Sequence, residues 1–391
     1  MKRGDNVLGT LAAFLFLIGA AEPSAQTATP KRVNRAIELL ELGQPIYYTG
    51  SHAGTAGSFE QGKADAQTYA DYISYDMEHP PFDVKGLADY MRGLVAGGPT
   101  RSGHRMPPVI VNVPVNGTDE AAVHANAWMF AQVLATGVHG IMLTHADTPG
   151  AIRALVEAVR FPIHKQGLDK GLNEGRRGVH GAFIAAPIWG ISPDEYLDRA
   201  DLWPLNSNGE LLLGVKLEDR YALINADENL KVPGIAIAEW GPADMALSLG
   251  VRGSGDLTRD PRMIEARGKV FAASRANRIF FLDSMNKSNV IDLINAGVMV
   301  GPASPHRSVA NTPAEKCRGK QHYLLTLMFL TRSPTTAPET FSRIATPGPM
   351  GHASATAGDC CAASPMTFVS AAGNLCSDGC DRDRGSRIPV S

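Results

Sequence analysis

The sequence predicts an α/β protein organised as a (β/α)8 TIM barrel, on three observations. From about residue 33 to 305, short apolar runs alternate with longer amphipathic ones, the signature of parallel βαβ units. Acidic residues stand where such runs end: Glu218 closes LLLGVKLED, and Asp244 lies in IAIAEWGPADMALSLG. A (β/α) barrel carries its chemistry at those strand ends. Finally, 391 residues accommodate one large barrel with appendages or two ordinary domains, and the length of the alternating segment favours a closed barrel over an open doubly wound sheet.

Taken in order, the chain begins with Lys2 and Arg3, then VLGTLAAFLFLIGAA, then small residues before Gln26. This order of charged, apolar and small-residue regions reads as a signal peptide over residues 1–25, cut after Ala21 or Ala25. The mature protein is therefore expected to be exported, periplasmic or secreted, with no stable membrane insertion after cleavage. No interior apolar run is long enough to span a bilayer. Expected strands lie at residues 46–49, 72–76, 109–113, 140–144, 211–217, 235–239 and 279–282. Expected helices lie between them at 84–95, 120–135, 149–159, 261–273 and 289–296. After residue 306 Pro, Ser, Thr, Gly and Cys become frequent, and periodicity vanishes apart from HYLLTLMFL at 322–330. Residues 306–391 read as a flexible, low-complexity tail. All five cysteines, Cys317, Cys360, Cys361, Cys376 and Cys380, fall there, without the paired spacing of a zinc site. A net charge of −2 argues against nucleic acid or an anionic membrane as the main partner.

Four sequence features bear chemistry. Two carboxylates converging on one point repel each other unless a cation separates them, and oxygen ligands suit Mg²⁺ or Mn²⁺. Glu218 and Asp244 are candidates for that role; the plainer alternative is an ion pair for Glu218 and a helix cap for Asp244. In ISYDMEHPPFD, strand alternation sends Asp76 and Glu78 the same way before Pro80 and Pro81 force the chain out. His79, held by a nearby carboxylate, is then a candidate general base. In GPAD, Gly241 and Pro242 make a sharp strand exit, and Ala243 and Asp244 begin a helix whose first amides suit an anion. Lastly, His52, His145, Arg176 and Arg177 stand at strand ends or in a Gly-rich loop. There they either line a pocket or serve as ordinary hydrogen-bonding and solvated groups.

Taken together, these pieces resemble the HpcH/HpaI aldolase and citrate lyase family. The D-x-E-H-x-P turn falls at 76–81, the G-x-R-G loop at 175–178, the L-E-D strand end at 217–219, and the GPAD segment runs on to Gly250. The resemblance covers roughly residues 40 to 302. It implies a (β/α)8 barrel that forms homo-oligomers, and class II aldolase (carbon-carbon lyase) chemistry. It also implies a divalent ion, Mg²⁺ or Mn²⁺ with Co²⁺ admissible, held by Glu218 and Asp244. The ion would chelate a 2-oxo acid and stabilise the enolate formed when the bond to an aldehyde breaks. The amides of Ala243 and Asp244, set by the Gly241 turn, would support the substrate carboxylate, with Arg177 as a further substrate contact. His79, oriented by Asp76, would be the acid/base. Three positions depart from the family pattern. Asn112 stands where an Arg usually steadies the ketone oxygen, Lys216 where a Gln is common, and Ala135 where an acidic residue is frequent. Lys216 shares the inward parity of Glu218 and offers a replacement positive charge. The rival readings are an exported metal-dependent hydrolase using His52, His79 and His145, and an oxo-acid-binding protein whose catalysis was lost with Asn112.

Overall fold

The computed structural model describes residues 32–50 and 57–303. These belong to one of the chain's two units, Met1–Ser333; the other, Pro334–Ser391, lies wholly outside the described residues. The expected leader, His52 and all five cysteines also lie outside them.

Nine strands form one sheet: β1 Ile46–Thr49, β2 Tyr72–Asp76, β3 Val109–Asn116, β4 Gly140–Thr144, β5 Leu202–Trp203, β6 Leu211–Lys216, β7 Ile237–Glu239, β8 Phe280–Leu282 and β9 Val300–Pro302. Their order is β4-β3-β2-β1-β9-β8-β7-β6-β5, and a further β4–β6 pairing closes the ring, leaving β5 as a short addition beside β6. Every pairing is parallel. Helices connect the strands, and the whole is the expected closed (β/α)8 barrel. No helix among the described residues is long and apolar enough to cross a membrane.

Strands buried on both faces explain why the sequence shows continuous apolar runs rather than alternation. In β6, Leu211, Leu213 and Val215 face the helices, while Leu212 faces the barrel interior. In β3, Val109, Val111 and Val113 face outward and Ile110 inward. The inner surface is thus a graded column. Its lower layers hold Ile46, Tyr72, Ile110, Met142, Leu212, Ile237 and Val300. The helix Arg35–Glu41 plugs that end with Ala36, Ile37, Leu39 and Leu40. Two residues further along the same inward parity in β3 and β7, and four in β6, the apolar residues give way to Asn112, Glu239 and Lys216. Asp76 sits opposite Asn112, and Lys216 opposite Glu239. Alternation therefore sets an apolar base and a polar mouth on one set of strands.

Three expectations are corrected. The eighth barrel strand, β9, was not foreseen, because a Val-Gly-Pro strand carries two residues that normally punctuate loops. The expected helix at 120–135 is two, Glu120–Ala125 and Ala127–Ala135; Asn126 breaks it, its side-chain amide donating to the Ala122 carbonyl at 2.9 Å. The strand expected from 235 begins at Ile237.

Candidate metal and active site

β2 ends at Asp76, and the carboxylate of this buried residue organises the turn that follows. Its Oδ1 accepts from the backbone amides of Glu78 at 2.9 Å and His79 at 3.3 Å, and its Oδ2 lies 2.9 Å from His79 Nδ1. The His79 imidazole is thereby oriented, with 46% of its side chain open to solvent and Nε2 3.9 Å from Glu78 Oε1. Between them Met77 turns into the outer core.

Opposite, β6 delivers two residues of equal parity. Lys216 is buried; its ammonium donates to Glu78 Oε2 and lies 4.0 Å from Glu218 Oε2. Burial pulls this ammonium down, but Glu239, Glu218 and Glu78 together hold it above the ordinary lysine range. Burial pushes the Glu218 carboxyl up to about 7, against the pull of Lys216 and of the His145 amide. Gly241 packs directly on Glu218. Its φ is +46°, and a Cβ there would collide with Glu218 Cβ and Oε2, so both the conformation and the space require glycine.

Gly241 is also the N-cap of the helix Pro242–Ser248, with no side-chain cap, and Asp244 lies in the first turn. Asp244 is therefore not the capping residue of the plainer alternative. A ligand oxygen of Asp244 lies within 4.8 Å of one from Glu78 and of a ring nitrogen of His145, and Asp76, Glu78 and His79 make a second such group. His145 follows β4 in a left-handed conformation, φ +44°. Its amide donates to Glu218 Oε1 at 3.0 Å, its Nδ1 lies 3.1 Å from Asp219 Oδ2, and its Nε2 lies 3.9 Å from Glu218 Oε1. The hydrogen bond with Asp219 raises the imidazole to about 9. Burial, with Asp219 beside it, pushes the Asp147 carboxyl up to about 7.

The donor set fits a divalent ion. Glu78, Glu218, Glu239 and Asp244 bring four carboxylates to the mouth, with Lys216 set among them as a buried ammonium. Like charges so placed are stabilised by a further cation, and carboxylate oxygens with an imidazole are suitable ligands. Of the residues singled out from sequence, Asp76, Glu78, His79, Asn112, Lys216, Glu218, Gly241, Ala243 and Asp244 all reach this end of the barrel. Asp244, however, is grouped with Glu78 and His145 rather than with Glu218, which borders that group through His145.

Arg177 does not belong to the site. Its buried guanidinium lies 4.5 Å from the centre of the Phe161 ring, and Nη2 donates to the Tyr196 hydroxyl at 2.8 Å. Tyr196 in turn donates to Leu134, at 3.4 Å, on the helix leading into the start of β4. This is the opposite end of the strands, so Arg177 is a packing residue. Arg176 is exposed and lies 3.8 Å from Glu157. Sequence reasoning left His145 between a pocket residue and an ordinary hydrogen-bonding group, and passed over Glu239. The available signal for Glu239 was its inward parity with Ile237, two residues before the Gly241 turn.

A closed parallel barrel with carboxylates, imidazoles and an ammonium at the C-terminal ends of its strands defines a barrel-enzyme class whose chemistry is run from that mouth. Residues 63–301 match the HpcH/HpaI aldolase/citrate lyase family, and the chain belongs to it. It is 33% identical over 180 residues to a hydroxypyruvate/pyruvate aldolase of Deinococcus radiodurans, covering 46% of this chain and 52% of that protein. It is 28% identical over 263 residues to a hydroxypyruvate/pyruvate aldolase of Agrobacterium fabrum, covering 67% and 80% respectively. The chain thus spans about half the length of the first relative. A crystal structure of an HpcH/HpaI aldolase/citrate lyase family protein from Burkholderia cenocepacia J2315 superposes with a TM-score of 0.53 at 22% identity, over 73% of this chain and 99% of that one, and supports the fold.

Proposed function

We propose that the protein is a divalent-metal-dependent aldolase that cleaves or forms a hydroxy-2-oxo acid, with an aldehyde as second partner. The observation that carries this reading is the meeting of the Asp244, Glu78 and Glu218 carboxylates with the Asp76–His79 pair at one barrel mouth. The names of the Deinococcus and Agrobacterium relatives support pyruvate or hydroxypyruvate as the oxo-acid component.

Glu218 and Asp244 would hold Mg²⁺ or Mn²⁺. When bound, the ion supplies Lewis-acid polarisation of the 2-oxo group and stabilises the charge that develops there. His79, fixed through Nδ1 by Asp76, takes the proton of the substrate hydroxyl as the carbon-carbon bond breaks and the aldehyde departs. The same imidazole, directly or through a water, returns a proton to the carbon left behind. Lys216 keeps a permanent positive charge in a buried setting, where electrostatic stabilisation is stronger than in water. Asn112 offers a neutral amide on the inner face. The amides of Ala243 and Asp244 receive the substrate carboxylate. The leader-like order of residues 2–25 supports an exported enzyme, and exposed Phe183 and Ile184 on one helix support self-association.

Incubation with pyruvate and Mn²⁺ in deuterated water tests the reading. Exchange of the methyl protons is expected, Glu218→Gln should abolish both exchange and metal binding, and His79→Ala should slow exchange by about 10² to 10⁴ with Mn²⁺ still bound. Pyruvate binding without any exchange would mean an oxo-acid-binding protein instead.

A further inference from the structure

We infer that His145 is a nitrogen ligand of the metal site, and that the site therefore prefers a borderline transition ion such as Mn²⁺, Co²⁺ or Zn²⁺ to Mg²⁺. The inference rests on the proposed metal-dependent reading and deepens it. Three observations carry it.

The first is placement. A ring nitrogen of His145 and carboxylate oxygens of Glu78 and Asp244 all lie within 4.8 Å of one another, supplied by the ends of β4, β2 and β7. Small side-chain rotations close such a group around an ion with bonds of about 2.0–2.2 Å.

The second is support. His145 Nδ1 is hydrogen-bonded to Asp219 Oδ2 at 3.1 Å, which leaves Nε2 facing Glu218 Oε1 at 3.9 Å. Asp219 is itself fixed, its Oδ1 accepting from the amides of Tyr221 at 2.8 Å and Ala222 at 2.9 Å as the N-cap of the helix Arg220–Ile224. A histidine that gives one nitrogen to a carboxylate and presents the other to neighbouring ligands has the arrangement metal-binding histidines adopt.

The third is backbone strain. A non-glycine residue at φ +44° persists only where its surroundings hold it, and the His145 amide is held by Glu218 Oε1 at 3.0 Å. The same carboxylate that the family would use for the metal thus also fixes the position of His145. An imidazole among carboxylates moves the preference from hard Mg²⁺ toward ions that accept nitrogen.

The test uses the full chain loaded with Mn²⁺, read by pulsed electron paramagnetic resonance for coupling to ¹⁴N, and Zn²⁺, Mn²⁺ and Mg²⁺ affinities measured by calorimetry. The wild type should show ¹⁴N coupling, retained in His79→Ala and lost in His145→Asn, an exchange that tolerates the left-handed backbone. His145→Asn should also weaken Zn²⁺ and Mn²⁺ by about 10-fold to 100-fold while changing Mg²⁺ little. The wild-type spectrum alone decides the matter if that variant does not fold. Mn²⁺ binding that is lost in Asp244→Asn but shows no ¹⁴N coupling would overturn the role of His145 and leave the carboxylate site standing. Mn²⁺ binding indifferent to both Glu218→Gln and Asp244→Asn would overturn the carboxylate site, and the inference with it.

Discussion

His139 and His145 flank the same strand, β4, and burial decides what each can do. His139 is fully buried, accepts the Val109 amide through Nδ1 at 3.2 Å, and stacks on Trp189 at 5.3 Å between ring centres. Burial pushes its imidazole from the ordinary 6.5 down to about 3. The folded state thus refuses a proton that the unfolded chain accepts, so the stability His139 contributes is complete above pH 6.5 and is lost as pH falls toward 3. The expected slope over that interval is about 1.4 kcal/mol per pH unit, roughly 4–5 kcal/mol in all. Urea unfolding at a series of pH values checks this. His139→Gln, which keeps an acceptor for Val109, should flatten the slope by about that amount, and an unchanged slope would refute the assignment. Residues of this kind also show what a sequence reveals. Asp76 and His79 were legible because the partners are three positions apart. The partner of His145 is 74 positions away, and no local spacing records it. Arg177 was misread for the same reason: the rings that absorb it come from Phe161 and Tyr196.

The helix Arg35–Glu41 closes the apolar end of the barrel, and a polar latch holds it there. Asn34 caps it, its side-chain oxygen accepting from Ala36 at 3.0 Å and Ile37 at 3.4 Å. The Asn34 side-chain amide donates to the Glu210 carbonyl at 3.1 Å, and its backbone amide to Glu210 Oε2 at 2.9 Å. Arg199 pairs with the same carboxylate at 2.7 Å. Asn34→Ala removes the cap and strands buried partners, and should cost about 2–4 kcal/mol in urea unfolding. Metal affinity should be unaltered, because the latch lies at the opposite end from the mouth; a change there would contradict this separation of roles. Longer strands with several apolar residues, such as the five-residue β2 and β4, were readable to the residue. Those carrying Gly, Pro or Trp within two or three residues, β5 and β9, were not, since parallel pairing rather than local preference creates them. The plug helix was missed as well, because its apolar face is matched by the barrel interior and not by any neighbouring helix.

Along its axis the barrel separates the forces that build it from the groups that act. Apolar layers and the plug helix stabilise the base, while the mouth gathers carboxylates that burial leaves poorly solvated, as the raised Glu218 and Asp147 carboxyls record. The ligand candidates Glu78, His145, Glu218 and Asp244 come from four separate strand ends, so the unfolded chain has no comparable site. An ion that binds only the folded barrel stabilises it by mass action, about 2.7 kcal/mol at a hundredfold excess over its dissociation constant. For a domain of this size that corresponds to a rise of roughly 5–10 °C in Tm. Thermal melts with Mn²⁺ and with a chelator measure the difference directly. Asp244→Asn should erase most of the rise, whereas Asn34→Ala, although less stable throughout, should show the full rise. Equal rises in wild type and Asp244→Asn would place the ion elsewhere. The two variants together separate what folds the barrel from what the folded barrel holds, since one changes the starting Tm and the other only its response to metal.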